Sequence, residues 1–399
     1  MIAPGAGCAA EQFSPVVLAR ACWAARCQFA AMGVILGAWG AHIPSVKAHY
    51  ALGEAALSLV LLCGGAGALL CLFFAGRVIG RLGARRTSLL AQLAACCLLA
   101  GVLQLPNLAS LLPLMLAFGA VMSLLDVAVN AEGTVIESLG GRAVMSNLHA
   151  MFSVGGMAGA AFTAALLRAG MAPALQLALV AVLVAVPVAL ASRGMLDAHP
   201  HEEDEGARAN AGPRAHFVWP RGLLLVIGLS ILAGMTAEGV MYDWCVLFLK
   251  QELHMPQAQA ALGFAAFSGA MALARFCADA LRARYPERAL LASGALLAAA
   301  AMALVLCAGH PGVALVGYAL VGAGLAPVVP ILYNAATRVP GVSRTAAIAS
   351  VSSIGYAGFM IGPPLIGGLA QALSLTAAMW VVVAAALLLV LAATRIGVD

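Results

Sequence analysis

The sequence predicts an all-α membrane protein with twelve transmembrane helices arranged as two pseudo-symmetric six-helix bundles. Three observations carry this. Hydrophobic residues make up 63% of the 399 and charged residues only 9%, against about 25% charged in a soluble domain. The apolar runs continue for about 20 residues, the length that crosses a bilayer as a helix, without the alternation over about ten residues that marks a barrel strand. Basic residues, finally, fall almost wholly in alternate loops. With no water in the bilayer core, backbone N–H and C=O groups pair internally, and continuous apolar runs do so as helices.

Charge, Pro and Gly punctuate the spans at 18–44, 54–76, 87–105, 109–131, 145–168 and 172–192, and then at 222–249, 258–281, 288–308, 311–334, 345–370 and 374–394. The intervening stretch 193–221 holds His199, His201, Glu202, Glu203, Asp204, Glu205 and several arginines. It reads as a solvated cytoplasmic linker between an N-terminal bundle at 1–192 and a C-terminal bundle at 222–399. With both termini cytoplasmic, seventeen of the 21 Lys and Arg lie inside and only Lys47, Arg168 and Lys250 lie outside, Arg275 falling within a span. That asymmetry is the positive-inside bias. It supports the even span count, because one missed helix would invert every later loop.

The abundant Gly (43) sits within apolar runs, as expected where membrane helices approach closely. The ten Cys are scattered without metal-ligand spacing and read as buried free thiols. No cleavable signal peptide is evident, since the first apolar stretch is followed by further spans. The net charge of +5 reports topology and is no nucleic-acid signal. No nucleotide-binding loop or zinc cluster is visible, and neither a cofactor nor enzymatic chemistry is expected.

The two halves echo each other at an offset near 200 residues. Ser153-x-x-Gly156-x-x-Gly159 matches Ser352-x-x-Gly355-x-x-Gly358, and Trp39 and Trp244 occupy similar places in the first and seventh spans. Parallel six-helix repeats joined by a linker are a transporter architecture, with the substrate site between halves near the midplane.

The chain resembles the major facilitator superfamily over essentially its full length. The stretch Gly76-Arg77-Val78-Ile79-Gly80-Arg81-Leu82-Gly83-Ala84-Arg85-Arg86 is similar to that superfamily's signature G-x-x-x-D-R-x-G-R-R, with Gly80 where the Asp is expected. Gly358-x-x-x-Gly362-Pro363-Pro364 is similar to its Gly-Pro packing motifs. In the fourth span, Leu125-Asp126-Val127-Ala128-Val129-Asn130 resembles the L-E-T-A-A-N of fucose-permease-like proton symporters and, more closely, the L-D-V-A-M-N of YbjJ-type bacterial inner-membrane proteins. Glu238-Gly239-x-x-x-Asp243-Trp244 resembles the same branch.

The resemblance implies a proton site at Asp126 and a multi-pass protein of the bacterial inner membrane. The branch's second acid, four residues before a proline in the first span, is replaced by Gly40 ahead of Pro44. The signature also implies a conformational latch. Gly76, Arg77, Arg81, Gly83, Arg85 and Arg86 form its loop, and acids at neighbouring helix ends are its partners, Glu137 among them. As an alternative, the same arginines are simple topology anchors.

A carboxylate within a bilayer is costly, and desolvation disfavours its charged form, so such a group can take up and release a proton. Spacings of four and seven share a helical face, which places Asn130 and Glu137 on the Asp126 stripe and Glu132 off it. Asn130 is therefore expected to orient the carboxylate or the substrate. Glu238 is the second proton-coupling candidate. Glu238 and Asp243, five apart, point about 140° from each other on an unbroken helix, unless Gly239 breaks it. Asp243 beside Trp244 suits a polyhydroxyl ligand, carboxylate oxygens accepting from hydroxyls while the indole packs on an apolar sugar face. Trp39 is a further substrate contact by its matching place.

Arg275 and Asp279, four apart, suit an ion pair and join the latch candidates, although another acid could take Arg275. His42 and His149 read as hydrogen-bonded structural histidines. Pro327 and Pro330 are expected to kink the tenth span, with Asn334 lining the cavity.

The reading is a secondary active transporter moving a small polar, sugar-like solute by proton-coupled alternating access. Its partners are that solute, protons and the lipid bilayer, and the protein is expected to be a monomer. Proton-driven efflux of a drug or metabolite is the alternative within transport. A receptor or scaffold that keeps the fold without transporting is the alternative outside it.

Overall fold

The computed structural model describes residues 14–196 and 219–396. Among these described residues, eleven helices are long and apolar enough to cross a membrane. One of them, Glu54–Gly101, has 48 residues, roughly 70 Å at the α-helical rise and twice the hydrocarbon thickness, so it makes two crossings. Spans 1 to 6 are thus Pro15–His49, the two arms of Glu54–Gly101, Leu108–Gly140, Met145–Arg168 and Pro173–Ala191, followed by a 3₁₀ turn at Ser192–Gly194. Spans 7 to 12 are Leu223–Gln251, Gln257–Arg282, Glu287–Ala308, the pair Pro311–Leu325 and Val328–Thr337, Arg344–Ala372 and Leu375–Ala393. Most of the 193–221 linker lies outside the described residues.

The sequence reading placed a ten-residue loop between spans 2 and 3. The two helices instead run into each other, and the chain reverses at Gly83 (φ 76°, ψ 156°). That left-handed value is one an L side chain rarely adopts, so glycine makes the corner. The arginines of this stretch therefore ride on helix ends and define one end of the bundle, called here the arginine end. Span 10 breaks at Ala326 and Pro327, where the ring removes a helical N–H and crowds the preceding turn.

Side chains such as Phe73, Val182, Val186 and Leu391 are more than half exposed, an apolar girdle that only lipid can cover. Inside it, small residues set the helix spacing. A Cβ on Gly33 or Gly37 in span 1 would strike the carbonyl of Phe152 or Gly156 in span 5. In the second half, Gly355 packs on Ile231 and Gly358 on Leu232 O and Thr236. Within the Ser-x-x-Gly-x-x-Gly repeat, Gly159 seats span 5 on Val34 of span 1 as Gly355 and Gly358 seat span 11 on span 7, whereas Gly156 faces Ser268 and Phe264 of span 8.

The halves meet along spans 5 and 8, as far as Ser146 and Arg275, and at the end away from the arginines. Gln257 Nε2 of span 8 donates to Ala41 O (3.0 Å) and Ser45 Oγ (2.7 Å) of span 1. Phe264 lies over Gly40, so the position that lacks the second acid is filled by an aromatic ring. Gly367 of span 11 rests on Ser58 of span 2. At the arginine end the facing surfaces are open: Thr134 and Arg142 on one side and Arg344 on the other are exposed. The cleft between the halves opens there.

Candidate functional site

Span 4 starts on an Asn107 side chain that accepts from Ser110 N–H at 3.0 Å and ends on Gly141 in the left-handed region. Asp126 lies near its midpoint. Asn130, one turn on, donates Nδ2 to both Asp126 O (2.8 Å) and Asp126 Oδ1 (2.9 Å). Thr134, another turn on, donates to Asn130 O at 3.0 Å. These residues form a polar stripe that becomes exposed toward the arginine end. Across the cleft, Tyr333 of span 10 and Tyr356 of span 11 lie within electrostatic reach of Asp126, and Tyr333 Oη is 3.0 Å from Ser352 Oγ. The site is thus built from both halves. Tyr333 and Tyr356 were missed in the sequence, where the only signal was a pair of polar rings inside apolar spans.

Glu238 faces the same interior from span 7. Its Oε1 accepts from Arg275 Nη2 (3.2 Å) and from Tyr242 Oη (3.1 Å), and both members of the ion pair are 13% exposed. Arg275 Nη1 also donates to Ser153 Oγ at 2.8 Å, and its backbone carbonyl accepts from Ser146 at 3.1 Å. One guanidinium therefore joins spans 7 and 8 to span 5 of the other half. The expected partner Asp279 has a side chain outside the described residues; Glu238 is the acid that Arg275 takes. Span 7 is continuous through Gly239, so Glu238 and Asp243 diverge as an unbroken helix requires.

Asp243 and Trp244 do not join this cleft. They line a small pocket between spans 7 and 11 with Thr236, Gly358 and Pro363. Trp39 is 3% exposed and packs 6.1 Å from the Phe118 ring of span 4, inside the first half. Asn334, expected in the cavity, turns instead to the arginine end and donates Nδ2 to Glu287 at 2.9 Å. Glu287 opens span 9 and also binds Arg282 Nε (3.0 Å) and Arg338 (3.5 Å). This closed cluster sits between spans 8 and 9, the counterpart of the Gly76–Arg86 stretch between spans 2 and 3.

In that first-half stretch Arg77, Arg81 and Arg86 are exposed and Arg85 is half-buried. The expected pairing with Glu137 is not formed. Glu137 Oε2 turns back to accept from Val144 N–H (2.7 Å) and Met145 N–H (3.1 Å), capping span 5. Glu132, off the polar stripe as its spacing requires, is fully buried and accepts from Leu196 N–H at 2.8 Å. His42 is 3.1 Å from Ser45 Oγ, and His149 packs edge-on to Phe29 at 5.3 Å.

A family model described as Major Facilitator Superfamily matches residues 227–398. An MFS-type transporter of Yersinia pestis is 35% identical over 371 residues, 92% of this chain and 93% of that protein. The membrane protein MosC of Rhizobium meliloti is 31% identical over 90% of this chain and 85% of its own. Among solved structures, a D-xylose–proton symporter superposes with a TM-score of 0.72 at 15% identity, covering 95% of this chain and 97% of that one. A variant of the E. coli fucose:proton symporter gives 0.62 at 17% identity, covering 96% and 98%.

Proposed function

We infer that this chain, which belongs to the major facilitator superfamily of membrane transporters and is not an enzyme, moves a small polar, sugar-like solute by proton-coupled alternating access. One observation carries the reading: near the midplane, Asp126 is hydrogen-bonded by Asn130 of its own helix and lies within electrostatic reach of Tyr333 and Tyr356 of the other half. Carboxylate, amide and phenol oxygens can bind hydroxyls, and the phenol rings offer apolar faces to a sugar. The cleft, open at one end and closed at the other, is one of the two states that alternating access requires. The likeness in fold to xylose–proton and fucose:proton symporters supports the same solute class.

A stability screen of the purified protein against monosaccharides tests the solute class, because a ligand that binds only the folded state raises its apparent stability. The expected result is a saturable rise for at least one sugar that Asn130→Ala weakens about tenfold. A rise with lipophilic drugs and none with sugars would favour the efflux reading.

The positive-inside bias supports a cytoplasmic arginine end and cytoplasmic termini, which would make the cleft inward-facing. Reporter fusions within 193–221 and after Asp399 are expected to read cytoplasmic, and a periplasmic signal at either would invert the topology.

The exposed arginines are the released half of the latch, which closes when the cleft closes. Arg81→Ala should then slow transport several-fold while membrane insertion and ligand affinity stay near wild type. An unchanged rate, or failed insertion, returns these residues to topology anchors.

A further inference from the structure

The hairpin between spans 7 and 8 repeats the hairpin between spans 1 and 2 at a constant offset. Lys47, Ala51 and Glu54 in the first half correspond to Lys250, His254 and Gln257 in the second. Both hairpins turn on a left-handed residue, Ala51 (φ 50°) and His254 (φ 52°). In both, a lysine at the end of one helix reaches the side chain seven residues on that opens the next. Lys47 pairs with Glu54 Oε1, and Lys250 Nζ donates to Gln257 Oε1 at 3.0 Å. The copies differ in the group that the lysine meets: a carboxylate in the first half, an amide in the second.

That difference decides what crosses between the halves. A carboxylate only accepts, so Glu54 closes its own hairpin. An amide accepts through its oxygen and keeps two N–H donors. Lys250 can only donate, which fixes the amide oxygen on its side. Nε2 is thereby turned to span 1, where it donates to Ala41 O (3.0 Å) and Ser45 Oγ (2.7 Å). Ser45 is held in turn, 3.1 Å from Nδ1 of the fully buried His42. Among the described residues, the two bonds from Gln257 are the hydrogen bonds that join the halves at this end. The other contacts there, Phe264 over Gly40 and Gly367 on Ser58, are made by packing.

We propose that Gln257 is the clasp of the closed end. Its amide, held from behind by Lys250, keeps span 8 on span 1 while the arginine end is open, and it must let go before the opposite end can open. The inference rests on the alternating-access reading but needs neither the sugar nor Asp126. A carboxylate at 257 keeps the lysine contact, as Glu54 does with Lys47, and turns lone pairs toward Ala41 O. Losing the clasp removes bonds from one state alone, so the population shifts toward the state open at this end.

Ala260 reports that opening. It is fully buried and shares a face of span 8 with Gln257 and Phe264, at spacings of three and four. Ala260→Cys is reacted with a bulky charged maleimide in the purified full chain, and the labelled peptide is counted by mass spectrometry, which separates it from the native cysteines. Labelling is read well below each variant's unfolding midpoint, so that opening is distinguished from unfolding. With Gln257 in place, labelling should be slow. Gln257→Glu should raise its rate at least tenfold, a shift of about 1.4 kcal/mol that two hydrogen bonds can supply. Ser45→Ala removes one of the two acceptors and should give a smaller rise; it carries the test if Gln257→Glu does not fold. The mirror change Glu54→Gln should leave the rate unchanged. Fast labelling with Gln257 in place, slow labelling in both clasp variants, or an equal rise in Glu54→Gln would overturn the clasp. The monosaccharide stability screen reads the transport proposal separately, so either can fail without the other.

Discussion

Asp126→Asn should abolish accumulation of solute against a gradient while leaving exchange across the membrane intact. The amide mimics the protonated carboxyl in charge and shape but has no proton to release. Proton and solute binding are linked reciprocally: if protonation changes solute affinity, solute changes proton affinity by the same factor. A group that cannot change charge removes that coupling without removing the route. With one proton per solute, a gradient of one pH unit supports about tenfold accumulation, since about 1.4 kcal/mol is a factor of ten in an equilibrium constant. The wild type should approach that ratio in proteoliposomes, and Asp126→Asn should stop at equal concentrations while still exchanging labelled for unlabelled solute. Full accumulation by the variant would make Asp126 a structural residue and move the coupling to Glu238.

The second large effect is expected at the Glu238–Arg275 pair. Both members are 13% exposed and 3.2 Å apart, and removing one partner of a buried pair costs about 3–5 kcal/mol because it strands the other charge. Arg275→Met also removes the donor to Ser153 of the opposite half. It should lower the unfolding midpoint, at a fixed heating rate, more than Glu238→Gln does. The double variant removes both charges and should recover more than half of the loss. Ser153→Ala removes the bond from Arg275, a change of about 1–3 kcal/mol with a charged donor, together with a long bond to His149 O (3.4 Å), and should cost less than either. Wild-type stability in Arg275→Met would mean that the pair contributes nothing to holding the halves together.

Much of this was legible in the sequence because the bilayer dictates it. Span number and position follow from apolar run length, and most observed helices begin and end within a few residues of the runs, except around Gly83, where the helix outlasts the apolar stretch on both sides, and in span 4, which continues nine residues past its run to Gly140. The Asp126–Asn130 bond was predictable because a four-residue spacing within one helix fixes which side chains meet. Contacts between helices were not. Arg275 had an acid four residues on, yet it takes Glu238, 37 residues earlier. Asn334 left the cavity for Glu287, 47 residues away. Trp39 and Trp244 hold matching places in the two halves, yet one packs on an aromatic ring and the other lines a small pocket with Asp243. Such partners depend on helix rotation and crossing, which the periodicity of one helix does not encode.

The central claim is that solute and proton cross together through the Asp126 cleft. It is tested most directly in proteoliposomes holding a pH-sensitive dye, with a monosaccharide that stabilises the purified protein added outside and no imposed gradient. The account predicts that inward solute flow acidifies the lumen in the wild type, and that solute still enters but the lumen does not acidify in Asp126→Asn. Solute entry with no proton movement in the wild type, or the same acidification in the variant, would contradict it.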